Sequence, residues 1–353
     1  VIILSDLHLK EANEHLVWEV LDRVEELAVE DPDCRVVFTG DWWQLRYQVS
    51  VRLLNLVHER LTRWVARDIN VDLVPGNHDQ VTVQGVNALE ILARDGVDVW
   101  TEPGISEVRE GWPGRWCGYV PYRKDPEGQL AALEAVLGAL RVEEAAHPVV
   151  FGHFGVHGAL MNNGQKDRGG LEAGDQDSYL LVLGHYHKHH APAPGVVYVG
   201  SPFQHTFGEV GNRTGVGRVL WVDGGVVFDQ IELDVGPKHY VVSWDVAKEE
   251  RPPAPESLVN GQPRPQDKVR VDIVAPPSLI NKDLTKRLMT AGYEDAQVNV
   301  QPAPEKREHR FPLVPGESLV ELAERFVAHR FEKQIDPDED PLCRKLHEWA
   351  GEL

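Results

Sequence analysis

Five short apolar runs punctuate the first 190 residues: VIIL at 1–4, VVF at 36–38, VDLV at 71–74, VVF at 149–151 and LLVL at 180–183. Each is short, rich in β-branched residues and reads as a buried β-strand. Between them the apolar period changes. Leu16, Val17, Val20, Leu21, Val24 and Leu27 recur at helical spacing and predict a helix over 14–30. Leu53, Leu54, Val57, Leu61, Trp64 and Val65 form one stripe of a second helix over 50–68, and the Ala- and Leu-rich segment 127–146 predicts a third. Strands alternating with helices through residue 152 argue for a layered α/β core. From about 179 to 245 strand follows strand, with a hairpin at 216–233 turning at Asp223, Gly224 and Gly225.

A Pro-rich polar stretch at 249–267 then breaks the pattern and reads as a linker. Beyond it, DKVRVDIVAP reads as a strand, NKDLTKRLMTAG as a helix ending at Gly292, and AQVNVQPAP as a strand. The segment from Gly316 to Leu353 is predicted helical. Ser318 and Glu321 form a capping box there, Leu319, Leu322, Ala323, Phe326 and Val327 make one apolar face, and Leu342, Leu346 and Trp349 mark a second short helix. The expected organisation is a main domain at 1–248, a linker at 249–267, a small α+β domain at 268–312 and a helical segment at 313–353.

The chemistry lies just after the apolar runs. The motifs are S-D-L-H (Asp6, His8), T-G-D (Asp41), P-G-N-H-D (Asn77, His78, Asp79), F-G-H (His153) and L-G-H-Y-H (His185, His187). Residues at the ends of parallel strands point into one crevice. Two histidines at i and i+2 on an extended segment face the same side. Seven of these residues, Asp6, His8, Asp41, Asn77, His153, His185 and His187, offer carboxylate, amide or imidazole donors and no thiolate. That set suits manganese, iron or zinc. One ion takes about four protein ligands, so seven donors imply two ions sharing a carboxylate. Paired ions roughly 3.5–4 Å apart are typical of phosphoryl hydrolysis.

In this order the five motifs resemble the calcineurin-like metallophosphoesterases, whose pattern is D-x-H, G-D, G-N-H-[DE], H and G-H-x-H. The likeness covers residues 1 to about 235. It implies two packed mixed β-sheets flanked by helices. It also implies one divalent ion, manganese foremost with iron, zinc or magnesium as alternatives, on Asp6, His8, Asp41 and His187. A second ion would sit on Asp41, Asn77, His153 and His185, with Asp41 shared. His78 would be the general acid, and Asp79 would orient it by accepting its other N–H. Within that family, Gly200-Ser201-Pro202 followed by Phe207-Gly208-Glu209 is similar to SbcD-type nucleases of DNA repair, in a phage-like version. Ser201, Gln204, His205 and Arg213 are candidates for the rim of the site. That likeness implies DNA as substrate, homodimerisation near residues 50–68 and a small capping domain. It further implies an SMC-like ATPase partner docked on the C-terminal helices. Gln44 stands where the exonuclease members often carry histidine, which leaves the exonuclease–endonuclease balance open.

The net charge of −20 points the other way. Holding DNA by counterion release needs clustered Lys and Arg, and the clusters here are small: Arg60, Arg63 and Arg67; Arg123 and Lys124; Lys166 and Arg168; Lys306, Arg307 and Arg310. An acidic subunit would borrow DNA affinity from a partner. A phosphoesterase acting on a small molecule or a phosphoprotein stays open, as does a metal-binding scaffold without catalysis. Three cysteines with no close pair exclude a disulfide framework. With no apolar run of about 18 residues, neither secretion nor membrane insertion is expected. The expected compartment is the cytoplasm, that of the host for a phage-encoded chain.

Overall fold

The computed structural model describes residues 1–30, 34–44, 48–81, 87–108, 114–172, 178–253, 264–276, 279–280 and 282–302. The expected C-terminal helices, with their capping box and any ATPase-docking face, lie outside the described residues. So does most of the Pro-rich stretch.

The first sheet contains Ile2–Leu4 (β1), Arg35–Phe38 (β2), Asn70–Leu73 (β3) and Val97–Val99 (β4). The second contains Gly104–Glu107 (β5), Trp116–Val120 (β6), Val149–His153 (β7), Leu180–Gly184 (β8), His190–Ala193 (β9) and Val196–Tyr198 (β10). Gly215–Val222 (β11) and Gly225–Glu232 (β12) form the expected hairpin and return to the first sheet. The strand orders are β12-β11-β1-β2-β3-β4 and β5-β6-β7-β8-β10-β9. β1 to β4 run parallel, as do β6, β7, β8 and β10. β11 enters antiparallel beside β1, pairing Ile2 with Arg218. The fold is therefore mixed α/β, two large mixed sheets flanked by helices.

Three helices cover the outer faces: Glu14–Val29 (α1) and Val51–Val65 (α2) on the first sheet, and Pro126–Val142 (α3) on the second. α3 starts where Pro126 has no N–H to satisfy and Asp125 accepts a hydrogen bond from Gly128 N at 2.6 Å. The central strands are buried on both faces, which is why they read as unbroken apolar runs. Ile2, Leu4, Val36, Phe38, Val71 and Leu73 face α1 and α2. Val1, Ile3, Val37, Val149, Phe151 and Val182 face the opposite sheet. Each fully buried side chain of this kind contributes about 1.5–3 kcal/mol. The α2 stripe of Leu53, Val57, Leu61 and Trp64 is buried against α1 and the first sheet, so core packing accounts for it.

Arg60, Arg63 and Arg67 of the α2 region converge on Glu25, which α1 places in a buried position. Burial opposes the Glu25 charge, but the hydrogen bonds from Arg63 and Trp64 hold its carboxyl below the usual range. This basic cluster therefore clamps two helices together.

A second polar clamp joins the sheets. Arg35 of β2 pairs with the fully buried Asp72 of β3 at 3.0 Å. Its guanidinium also donates to Ser106 Oγ (2.8 Å) and Tyr119 Oη (3.2 Å) of the second sheet. Trp100 donates to Asp72 at 2.7 Å and stacks on Tyr119 at 4.1 Å.

A third sheet is made of His239–Asp245 (β13), Lys268–Ala275 (β14) and Gln297–Pro302 (β15), all parallel, with Lys282–Thr290 (α4) between the last two. β13 pairs along its whole length with β14, so it belongs to the small unit although it precedes the Pro-rich stretch. β13 thus lies on the main-domain side of the division expected at 248 while pairing with a strand beyond it. Among the described residues no helix is long and apolar enough to cross a membrane.

Burial pushes the Asp72 carboxyl up to about 6 even beside Arg35. Removing the cation strands this charge. Arg35→Met should cost about 3–5 kcal/mol in urea unfolding at pH 7.5, and adding Asp72→Asn should recover part of it. The folded value lies above the unfolded one, so the penalty should shrink as the pH falls through about 6. An equal penalty at pH 7.5 and 5 would contradict this account.

Candidate metal centre

All five motif segments leave the carboxyl ends of parallel strands on one edge of the sandwich. The loops after β1 and β2 run side by side, with Asp6 N bonded to Gly40 O, His8 N to Asp41 O and Leu9 N to Trp42 O at 2.7–3.0 Å. This ladder turns donor side chains inward at a backbone cost. Asp6, His8, Asp41 and His185 have φ of 54°, 46°, 58° and 94°, left-handed conformations that cost about 1–3 kcal/mol each. Two glycines allow the close approach of the sheets. A Cβ on Gly40 would lie 2.2 Å from His153 Nδ1, and one on Gly184 would lie 2.0 Å from Ser5 Oγ and 2.2 Å from Thr39 O.

The structure brings all seven candidate ligands together. Asp6, His8 and His187 offer donor atoms within 4.8 Å of one another, as do Asp6, Asp41 and His153. Asn77 Oδ1 lies 3.2 Å from His153 Nε2 and 3.1 Å from His185 Nδ1. Asp41 stands between the halves, with Oδ1 at 3.3 Å from His153 Nε2 and Oδ2 at 3.7 Å from His8 Nε2. Asp6, His8, Asp41 and His153 are buried, whereas Asn77, His78, His185 and His187 are only half-buried and form the open side.

Hydrogen bonds behind the rings settle which nitrogens face inward. His153 Nδ1 meets the Thr39 carbonyl oxygen at 2.7 Å, a contact that requires an N–H. The His153 Nε2 then faces Asn77 and Asp41, as a lone pair when the ring is neutral and as an N–H when it is protonated. His187 Nδ1 meets the Glu209 carboxylate at 2.9 Å, and its Nε2 stands 3.2 Å from His8 Nε2. Candidate ligand atoms thus face one another at 3.2–3.9 Å across the crevice. Those separations suit donors sharing one ion at bond lengths of about 2.1 Å. His8 Nε2 is 3.9 Å from Asp6 Oδ1, and its buried Nδ1 has no hydrogen-bond partner among the described residues. The residues present fit a pair of divalent cations.

The electrostatics agree. Burial pushes His8 down to about 2 and His185 down to about 3, keeping both as the neutral imidazoles that ligate metals. Burial opposes charge on Asp41 too, but His153 outweighs it and holds the carboxyl well below the usual range. His153 is raised to about 9, because Asp41 overcomes the burial that would lower it. Without cations the cluster must recruit a proton to balance its carboxylates.

Two expectations change. Asp79 does not orient His78. Its carboxylate accepts from Asp41 N (2.8 Å), Gly76 N (2.9 Å) and Trp43 N (3.1 Å), tying the second and third loops together. His78 is positioned instead by Gln44, whose carbonyl oxygen lies 3.1 Å from its Nδ1. Of the four rim candidates, His205 brings its side chain to the centre, with Nε2 2.9 Å from the Asp6 carbonyl oxygen and its ring 5.1 Å from that of His187. Ser201 is buried and bonds to Phe203 O, Gln204 accepts from His239 N, and Arg213 pairs with Glu232. The sequence reading missed Glu209, although the F-G-E string had marked its position.

Gly184→Ala should force Ser5 and the Thr39 backbone apart. The expected result is a loss of about 1–3 kcal/mol or more together with reduced manganese retained after gel filtration. Gly138→Ala in α3, where an added Cβ meets nothing within 4 Å, is the control and should hold or gain stability. Full metal content in Gly184→Ala would contradict the close-approach argument.

No family model matches the chain. In sequence it is similar to a protein of Invertebrate iridescent virus 3 named "Putative phosphoesterase 078R", 26% identical over 263 residues that span 70% of each chain. Among solved structures, a dimetal phosphatase from Danio rerio aligns with a TM-score of 0.42 at 13% identity, over 65% of this chain and 95% of that one.

Proposed function

We propose that this chain is a metal-dependent phosphoesterase using two divalent ions, with manganese the leading candidate, and that it cuts the phosphodiester backbone of DNA. The observation that carries the reading is the ring of inward-facing carboxylate, amide and imidazole groups from five strand ends, with the half-buried His78 beside it. The sequence similarity to a protein named as a phosphoesterase supports the reaction class.

In this reading Asp6, His8, Asp41 and His187 hold one ion, and Asp41, Asn77, His153 and His185 hold the other. Ions bound there would lower the pKa of a nucleophilic water and neutralise phosphoryl charge. The chain's own residues do the rest. Asp41 faces both halves with its two oxygens. His78 lies 4.8 Å from His8, ring centre to ring centre, with Nδ1 directed at Gln44 O, so Nε2 is the atom that passes a proton to the leaving oxygen. Asp79 keeps the Asp41 and Asn77 loops in register through three backbone N–H groups.

The G-S-P and F-G-E strings favour DNA and an SbcD-type subunit, a homodimer working with an SMC-like ATPase in the cytoplasm. The charge balance favours the second reading, a small-molecule or phosphoprotein substrate. Arg60, Arg63, Arg67, Arg123, Arg213 and Arg218 each pair with a carboxylate, which weakens them as phosphate contacts. A partner subunit supplying cations would reconcile DNA cleavage with the net charge of −20.

The test is hydrolysis with manganese of labelled single- and double-stranded DNA beside a nitrophenyl phosphodiester. Asp41→Ala should abolish all activity and metal uptake. His78→Ala should keep its metal and lose about 10²–10⁴-fold on DNA. It should lose far less on the nitrophenyl ester, whose leaving group departs without a proton. Equal losses on both substrates would remove His78 as the acid. Cleavage of the ester alone, unchanged by adding an SMC-like ATPase, would favour the second reading.

A further inference from the structure

Glu209 lies in a short turn at Phe207–Glu209 and is 2% exposed. A carboxylate is costly there unless each oxygen is satisfied. Its oxygens are used separately. Oε1 takes the His187 Nδ1 hydrogen at 2.9 Å, and Oε2 accepts from His205 N at 2.7 Å. His205 then sends its ring back to the Asp6 carbonyl oxygen at 2.9 Å. Glu209 thus holds two of the segments that line one half of the centre, the one with Asp6, His8 and His187.

The turn is held from the other side by the third sheet. Gln204 Oε1 accepts from His239 N of β13 at 2.7 Å. Phe207 packs edge-on against His239 at 4.9 Å and lies 5.2 Å below the Arg270 guanidinium of β14. Glu209 is therefore fixed by groups independent of any ion.

We infer that Glu209 is a positioning residue for one of the two ions, acting through His187. Its carboxylate keeps the hydrogen on Nδ1, aims the Nε2 lone pair at Asp6 and His8, and makes that nitrogen a stronger donor. The inference rests on the two-ion reading. It requires that loss of Glu209 weaken one ion selectively, because Asn77, His153 and His185 give no hydrogen bond to it among the described residues.

The experiment is calorimetric titration of the full chain with manganese alone, comparing wild type, Glu209→Ala and the isosteric Glu209→Gln. Wild type should take two ions. Glu209→Ala should weaken one of them by about 10–100-fold and leave the other within about twofold. Glu209→Gln still offers an oxygen to His187 Nδ1 and should lie between the two. If Glu209→Ala does not fold, Glu209→Gln carries the test, with a selective loss expected in it as well. Wild-type affinities for both ions in the variants would overturn the assignment, and so would equal weakening of both ions, the mark of general loosening. Wild type taking no ion would instead overturn the two-ion reading beneath it.

Discussion

A crevice that crowds carboxylates, an amide oxygen and imidazoles together is the constraint from which the rest of this structure follows. Asp6, Asp41, Asn77 and four imidazole nitrogens meet there, with the carboxylates accepting from Ser5 Oγ and from the backbone N–H groups of His78 and His185. Buried charge without compensation is among the most costly arrangements a protein can hold. Cations resolve it, and the surroundings are organised for that state. Carbonyl and carboxylate oxygens behind His153 and His187 fix which nitrogen faces inward. Four left-handed residues carry backbone strain, and two glycines remove the side chains that would keep the sheets apart. That strain is sustainable because a wide apolar interface of Val, Ile, Phe and Tyr side chains over-determines the strand ends.

Much of this architecture was legible in the sequence, for a physical reason. Parallel strands buried on both faces cannot alternate, so they stand out as apolar runs, and a donor residue just beyond each run has few places to go. The α1 and α2 stripes were equally plain because their outer faces are charged. What stayed hidden depends on backbone atoms or on distant pairing. Nothing in the identity of Thr39 or Gln44 reveals that its carbonyl oxygen steers a histidine. Asp79 follows His78 directly and so suggested a partnership, yet the tight turn sends its carboxylate back among the amides of Gly76, Asp41 and Trp43. The Pro-rich stretch resembled a boundary, but a strand's allegiance is set by its hydrogen-bonded neighbour, and that of β13 lies beyond the stretch.

The distribution of arginine separates the roles of charge in this molecule. Arg35 bonds across the sheet interface, and the α2 arginines surround a single glutamate. These cations are spent on internal cohesion, leaving an acidic exterior around an acidic site. Long-range fields on such a surface draw divalent cations in and slow the approach of polyanions. The chemistry at the centre and the means of delivering its substrate are therefore separable, and a protein partner is one way to supply the second.

The order of the strands carries a temporal consequence. The loop after β1 carries the first two donor residues of the centre, but the outer edge of β1 is closed only by β11, which is made after all seven candidate ligands. During synthesis Asp6 and His8 emerge first, and His153, His185 and His187 reach them only after β7 and β8 follow. Closing so long a loop costs entropy before any contact repays it. A nascent chain therefore gathers all seven candidate ligands only once its second sheet has docked on the first. Completion of the full ligand set is in this sense a late event in folding, reached only by chains whose two sheets have met.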